Sequence, residues 1–341
     1  MSCPKHYRIL KCKINKIMAK KDFNAEELLM SFSSRRETTF QSTGVQDLDG
    51  ILGGGIDLKG FYSFWGEAGC GKTTIALQIA REFLKSGKRV LFCDTEHSFN
   101  TLQEQSMGLS EYIENEQMVV VDPDVADKVE QVINLVVPNK FDLFILDSVS
   151  AMIPYLGDNE LSVMDKTPGT KARQSKTIMS KAKSIFSQNN VASIWIFHAA
   201  ANIVTGYGQY ATTATKQDGG YATYHIPDVR VYFSPGAVVK EGDIPIGCVC
   251  KIVCEKNKYC PPKQRIEKKL IYGKGIDLRY DFIDAALAVG FIKQRGGSYE
   301  MPWGLKIKGI KNVYNMDDES YNKLVEAVTT GGTQVVTSTE E

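Results

Sequence analysis

Short apolar runs bounded by turn residues recur through the middle of the chain, at residues 61–65, 90–93, 118–121, 141–146 and 192–197, with amphipathic stretches between several of them. Strands covered on both faces read as continuous apolar runs, so this alternation predicts an α/β fold whose mainly parallel sheet is covered by helices. One of the intervening stretches, residues 170–188, places Ile178, Ala182, Ile185 and Phe186 on one helical stripe and Lys171, Arg173, Lys176 and Lys183 mostly elsewhere. After Asp228 the texture changes to strand-like segments at 229–233, 248–255 and 268–272, separated by Gly and Pro turns, which predicts antiparallel additions to the sheet. The boundaries that follow are a first segment over 1–37, a core over 38–276, a small α+β domain over 277–328 and a polar tail over 329–341, predicted to be disordered because it has little to bury. In the first segment Ile9, Leu10, Ile14, Ile17 and Met18 form an apolar set that a solvated tail would not need. A helix docking on another subunit is the expectation there. There is no internal repeat.

Composition narrows the class. With 341 residues, 43% hydrophobic and 24% charged, the chain can hold one large core plus small appendages. No stretch reaches the roughly 20 uncharged apolar residues of a membrane span, and the basic start has no signal-peptide apolar centre. A soluble cytoplasmic protein is expected, with no membrane partner. The net charge of +1 hides nine Lys or Arg against three acids in residues 1–36, which suits either a solvated amphipathic helix or a patch attracted to nucleic acid. The eight cysteines are not spaced as a disulfide scaffold. Cys248, Cys250, Cys254 and Cys260 lack paired C-x-x-C elements, and the first three alternate along an apolar strand, where cysteine packs as a small hydrophobe rather than a zinc ligand.

Chemistry enters at Gly66-Glu67-Ala68-Gly69-Cys70-Gly71-Lys72-Thr73, followed by Thr74, which fits G-x-x-x-x-G-K-[ST] between a predicted strand and a predicted helix. In such a P-loop backbone N–H groups surround phosphate oxygens, Lys72 neutralises the outer phosphates and Thr73 ligates Mg²⁺. The run 141–147 is an apolar strand ending in Asp147, placed to hold the same Mg²⁺ beside Thr73. Glu96 follows another strand, and it is the best candidate for the base that orients an attacking water.

Beyond the P-loop, Ser42-Thr43-Gly44, Asp94-Thr95-Glu96-His97, Asp147-Ser148-Val149-Ser150-Ala151, Val239-Lys240-Glu241-Gly242, Lys256-Asn257-Lys258 and Tyr272-Gly273-Lys274-Gly275-Ile276 stand in one order and at similar spacing. Together they resemble the bacterial RecA family over roughly residues 38–310. The resemblance implies a RecA-type P-loop ATPase core, with ATP and Mg²⁺ as cofactors. It implies a DNA-dependent ATPase that forms helical filaments on single-stranded DNA and exchanges strands with a homologous duplex in recombination and repair. Loader or single-strand-binding proteins would be further partners. Two DNA-facing loops are implied at about 157–169 and 202–220. The second carries Tyr207 and Tyr210, able to stack on bases, with Lys216, Gly219 and Gly220. Arg173, with Lys171 and Lys176 beside it, matches a family arginine at the first loop. Lys256 and Lys258 are implied to act on the neighbouring subunit's nucleotide.

His198 stands where bacterial relatives have a glutamine that senses the γ-phosphate; phage recombinases of the UvsX type look similar here. A strongly acidic C-terminal tail is also missing, only Glu340 and Glu341 closing the chain. Two rival readings share these motifs. A ring-forming helicase is disfavoured by the lack of a sizeable N-terminal domain and by the Lys256-Asn257-Lys258 match. A mediator that uses nucleotide only as a clamp would not need the hydrolytic set of Thr73, Glu96 and Asp147.

Overall fold

A computed structural model describes residues 38–155, 169–202, 214–217 and 222–337. The expected docking helix, most of the first DNA loop and most of the second fall outside the described residues.

From Phe40 onward the chain forms one compact unit. Its elements in order are β1 (Phe40–Gln41), α1 (Gln46–Leu52), β2 (Ile56–Asp57), β3 (Phe61–Gly66), α2 (Lys72–Lys85), β4 (Val90–Asp94), α3 (Thr101–Met107), α4 (Ser110–Glu114) and β5 (Met118–Val121). Then come α5 (Ala126–Val136), β6 (Leu143–Asp147), α6 (Thr170–Gln188), β7 (Ala192–Asn202), β8 (Ala214–Gln217) and α7 (Ala222–His225). The chain closes with β9 (Val229–Glu241), β10 (Ile244–Lys256), β11 (Gln264–Ile271), β12 (Gly275–Ile276), α8 (Leu278–Ala288), β13 (Lys293–Arg295), β14 (Ser298–Glu300), β15 (Lys306–Lys308), α9 (Ile310–Tyr314) and α10 (Asp318–Thr337).

The large sheet runs β12-β11-β10-β9-β3-β7-β6-β4-β5, with β8 added to β7. Its β9, β3, β7, β6, β4 and β5 are parallel, and β10, β11 and β12 are antiparallel. One expectation is corrected: β9 pairs parallel to β3, Tyr62 opposite Val229, and after Asp228 the antiparallel strands begin at β10, while β8 is antiparallel to β7. A strand's own pattern fixes which residues face the core but says nothing of the direction of its neighbour.

Strand alternation divides the core. Along β3, Tyr62 and Phe64 join α1 and α2 on one face, while Phe61 and Trp65 join α5 and α6 on the other. Trp195 is fully buried and stacks on Phe61 with centroids 5.0 Å apart. The predicted stripe on α6 is buried at Ile178, Ala182 and Phe186, with Ile185 half-buried. A third cluster, centred on Ile283, Tyr299, Val313 and Leu324, belongs to α8, α9, α10 and the small β13-β14-β15 sheet.

The tail differs from expectation as well. Helix α10 continues through residues 329–337, where polar composition predicted no structure. The helix is anchored by buried Leu324 and started by Asp317, whose carboxylate accepts from Ser320 N at 2.7 Å. A helix already nucleated by its anchored turns extends without a second nucleation cost, which composition alone does not register.

Candidate nucleotide site and DNA-facing surface

The parallel strands bring their C-terminal ends to one edge. Gly66 ends β3 opposite His198 of β7, and Asp94 ends β4 opposite Asp147 of β6. That edge opens into a cavity of about 350 Å³, lined by Ala68, Gly69, Gly71, Lys72, Thr73, Thr74, Glu96, Asp147, His198, Leu270 and Tyr272. Ligands of open α/β sheets bind at this end.

Two loop glycines are required by space. At Gly66 a Cβ would stand 1.9 Å from the Phe233 carbonyl oxygen, and at Gly71, with φ +90°, it would stand 2.4 Å from Leu270 Cδ1. The loop is thus pressed against β9 and β11. Lys72 opens α2, and its ammonium donates to the carbonyls of Gly66 at 3.1 Å and Glu67 at 2.7 Å. Cys70 is buried and packs beside Cys250, whose thiol donates to the Cys70 carbonyl at 3.0 Å.

Thr73 Oγ1 donates to Asp147 Oδ2 at 2.5 Å. Asp147 is buried, and that burial, aided by the nearby charges of Glu96 and Asp94, pushes its carboxyl up to about 7 against the opposing pull of Thr73 and Lys72. A buried carboxylate and a hydroxyl in contact fit Mg²⁺, which takes few protein ligands and completes its shell with water and phosphate oxygens. Among the described residues no group of three or more His, Cys, Asp or Glu is arranged to hold a metal. This sparse donor set suits an ion that arrives with a nucleotide.

Glu96 is positioned by its neighbours. Asp94 accepts from the amides of Glu96, Ser98 and Phe99 at 3.1, 2.8 and 2.8 Å, and thereby shapes the turn after β4. Glu96 Oε1 accepts from Ser148 Oγ and lies 2.6 Å from His198 Nε2. Hydrogen bonding from His198 is the main cause that holds the Glu96 carboxyl below its ordinary range, with burial opposing and Ser148 adding to the effect. His198 also donates its backbone N–H to Ser150 Oγ at 2.9 Å.

The remaining expected residues lie elsewhere. Arg173 and Lys176 are exposed on α6, and Lys171 donates to the Ser150 carbonyl at 2.5 Å. Tyr207, Tyr210, Gly219 and Gly220 fall outside the described residues, whereas the backbone of Lys216 lies on β8 opposite Ala200. Lys256 pairs with Arg230, which lies opposite Ser63 of β3, three residues before Gly66 and so roughly 10 Å from it along the strand direction. Its ammonium donates to the carbonyls of Tyr224, His225 and Pro227 at 3.4, 2.8 and 2.7 Å, at the end of α7. Lys258 pairs with Asp228 at 2.6 Å, and Lys183 reaches the same oxygen at 2.8 Å.

Sequence reasoning missed Ser148 as a partner of Glu96, Leu270 and Tyr272 as walls of the cavity, and Gln217. Gln217 accepts from Arg230 at 2.7 and 3.0 Å and donates to Ser63 Oγ at 3.1 Å, fixing the exit of the second loop to β3 and β9. Leu270 and Tyr272 come from β11 and the turn after it, and no spacing rule links them to the P-loop.

The glycine-lined cavity at the strand ends, with Lys72, Thr73, Asp147 and a carboxylate across from them, defines a P-loop ATPase with its sheet extended by antiparallel strands. The comparison with known proteins narrows this class. The family described as RecA N-terminal domain matches residues 8–277. Protein RecA of Fusobacterium nucleatum subsp. nucleatum is 30% identical over 274 residues, 79% of this chain and 70% of that protein. Protein RecA of Chloroherpeton thalassium is 29% identical over 83% of this chain and 78% of its own length. Protein RecA of Deinococcus radiodurans is 30% identical over 78% and 72%. The chain belongs to the RecA family. It is therefore a DNA-dependent ATPase and ATP-dependent recombinase that uses ATP with Mg²⁺ and forms homo-oligomeric filaments on DNA. No described helix is long and apolar enough to cross a membrane.

Proposed function

We propose that recombination by this chain is driven by ATP turnover in the cavity at the end of β3. The observation that carries this reading is the convergence of Lys72, Thr73, Asp147, Glu96 and His198 on that one cavity. Backbone N–H groups of residues 66–74 and the Lys72 ammonium bind the phosphates. Thr73 and Asp147 hold Mg²⁺, which when bound offsets charge on the phosphate oxygens. Glu96 accepts a proton from the attacking water and orients it. His198 contacts Glu96 and lies on β7, which runs on to Asn202 at the start of the second DNA loop, a continuous route from the terminal phosphate to DNA.

Arg173, Lys171 and Lys176 on α6 meet phosphates of the strand at the first loop, and Tyr207 and Tyr210, with Lys216, Gly219 and Gly220, form the second contact. Lys256 and Lys258 act on the nucleotide of the adjoining subunit. Neither lysine lines the cavity of its own P-loop, and Lys256 sits beside α7, which supports this reading. Each must first leave its partner within the protomer.

Single-stranded-DNA-stimulated ATPase of wild type and Lys72→Ala is the test. Strong stimulation of the wild type and loss of nucleotide binding in the variant are expected. Undiminished ATP affinity in Lys72→Ala would refute the site.

A further inference from the structure

We infer that Ser148 is a positioning residue for ATP hydrolysis, fixing one oxygen of Glu96 so that the other is left for the attacking water. The inference rests on Glu96 being the residue that orients that water.

Ser148 is fully buried one residue beyond Asp147. Its hydroxyl oxygen accepts from Ala151 N at 3.2 Å, so its single proton is directed onto Glu96 Oε1. His198 Nε2 reaches that same oxygen at 2.6 Å. With both partners on Oε1, Oε2 has no hydrogen-bond partner among the described residues.

The backbones are tied together as well. Thr95 Oγ1 donates to the Ser148 carbonyl at 2.6 Å, and the amides of Thr95 and Glu96 donate to the Asp147 carbonyl at 2.8 and 3.3 Å. The turn bearing the base is therefore laced to the strand end bearing the Mg²⁺ ligand, and among the described residues Ser148 supplies the side-chain link between that strand end and the carboxylate. A glutamate with free rotation about its side-chain bonds would seldom present its oxygen to a water in line with the terminal phosphate. Holding it in place is a gain in orientation. His198 cannot do this alone if its ring is also to answer the nucleotide, because a ring that turns toward phosphate releases Oε1. Ser148 keeps the carboxylate in place while His198 moves.

The experiment is steady-state ATPase on saturating single-stranded DNA for wild type, Ser148→Ala, Glu96→Gln and the double variant, with KM for ATP and thermal unfolding measured alongside. Ser148→Ala is expected to lower kcat roughly 10- to 100-fold, the range of a hydrogen bond to a charged group, with KM little changed. Ser148→Thr, which keeps the hydroxyl, is expected to recover most of the rate. In the Glu96→Gln background Ser148→Ala is expected to add no further loss, because its effect passes through the carboxylate. An unchanged kcat in Ser148→Ala, or an equal loss with and without Glu96, would overturn the inference while leaving Glu96 as the base. A fully active Glu96→Gln would instead refute the reading of Glu96 itself. If the alanine variant does not fold, Ser148→Cys, similar in size and a weak donor, carries the same comparison.

Discussion

Asp228 shows how one buried carboxylate serves both architecture and chemistry. Its Oδ1 accepts from Lys183 of α6 and Lys258, and its Oδ2 from Phe61 N at 3.2 Å. Burial pushes its carboxyl up, but the two lysines outweigh that and the net shift is downward. A carboxylate with a lowered folded-state value contributes stability that is present above the ordinary aspartate value near 3.9 and lost as pH falls through the folded value. Asp228→Asn is therefore expected to lower the melting temperature at pH 7 and to converge with wild type at the acid end; parallel curves down to strongly acid pH would contradict this. At the nucleotide site the corresponding test is Glu96→Gln. ATP binding should survive, and hydrolysis should fall by roughly two to four orders of magnitude, read by filter binding and phosphate release. The residues of this site that lie in contiguous motifs, Gly66 to Thr74, Glu96 and Asp147, were legible in the sequence because each follows a recognisable strand. Ser148 stood in a quoted motif, yet its role depends on which side chain meets it across the sheet edge. Sequence spacing carries no such information.

Among the elements, β7 and α6 carry the most consequence. The apolar runs foretold the parallel strands well because burial on both faces leaves an unmistakable pattern, while the direction of β9 and the continuation of α10 depended on neighbours and on helix propagation. Trp195 on β7 touches Phe61 and Phe144 and is fully buried. Trp195→Ala should cost about 3–5 kcal/mol, measured by denaturant unfolding. A loss below 1 kcal/mol would mean that the core collapses around the gap. For α6, Arg173→Ala should flatten the dependence of single-stranded DNA affinity on salt by roughly one phosphate contact, a change in slope near 0.7. An unchanged slope would remove Arg173 from the DNA surface.

For the whole molecule, the proposed action of Lys256 and Lys258 on a neighbour's nucleotide bears on whether subunits complete one another. In the protomer Lys256 is held by three carbonyls around α7, and burial pushes its ammonium below the ordinary value, with the charges of Lys258 and Lys183 acting the same way. A neighbour's polyphosphate would offer it a stronger partner. A cation supplied from outside the cavity is worth about three to five orders of magnitude in comparable phosphoryl-transfer sites. Alanine at both Lys256 and Lys258 should leave nucleotide binding by the protomer intact and remove DNA-stimulated hydrolysis. The most direct measurement of the central claim joins this to the Lys72→Ala variant. The two inactive proteins are mixed on single-stranded DNA, and ATPase is followed as their ratio is varied. Each Lys72→Ala subunit keeps its lysines, and each double-alanine subunit keeps a sound cavity. The account expects activity that is absent from either protein alone and greatest in mixtures. Mixed filaments that form but hydrolyse no ATP at any ratio would contradict it.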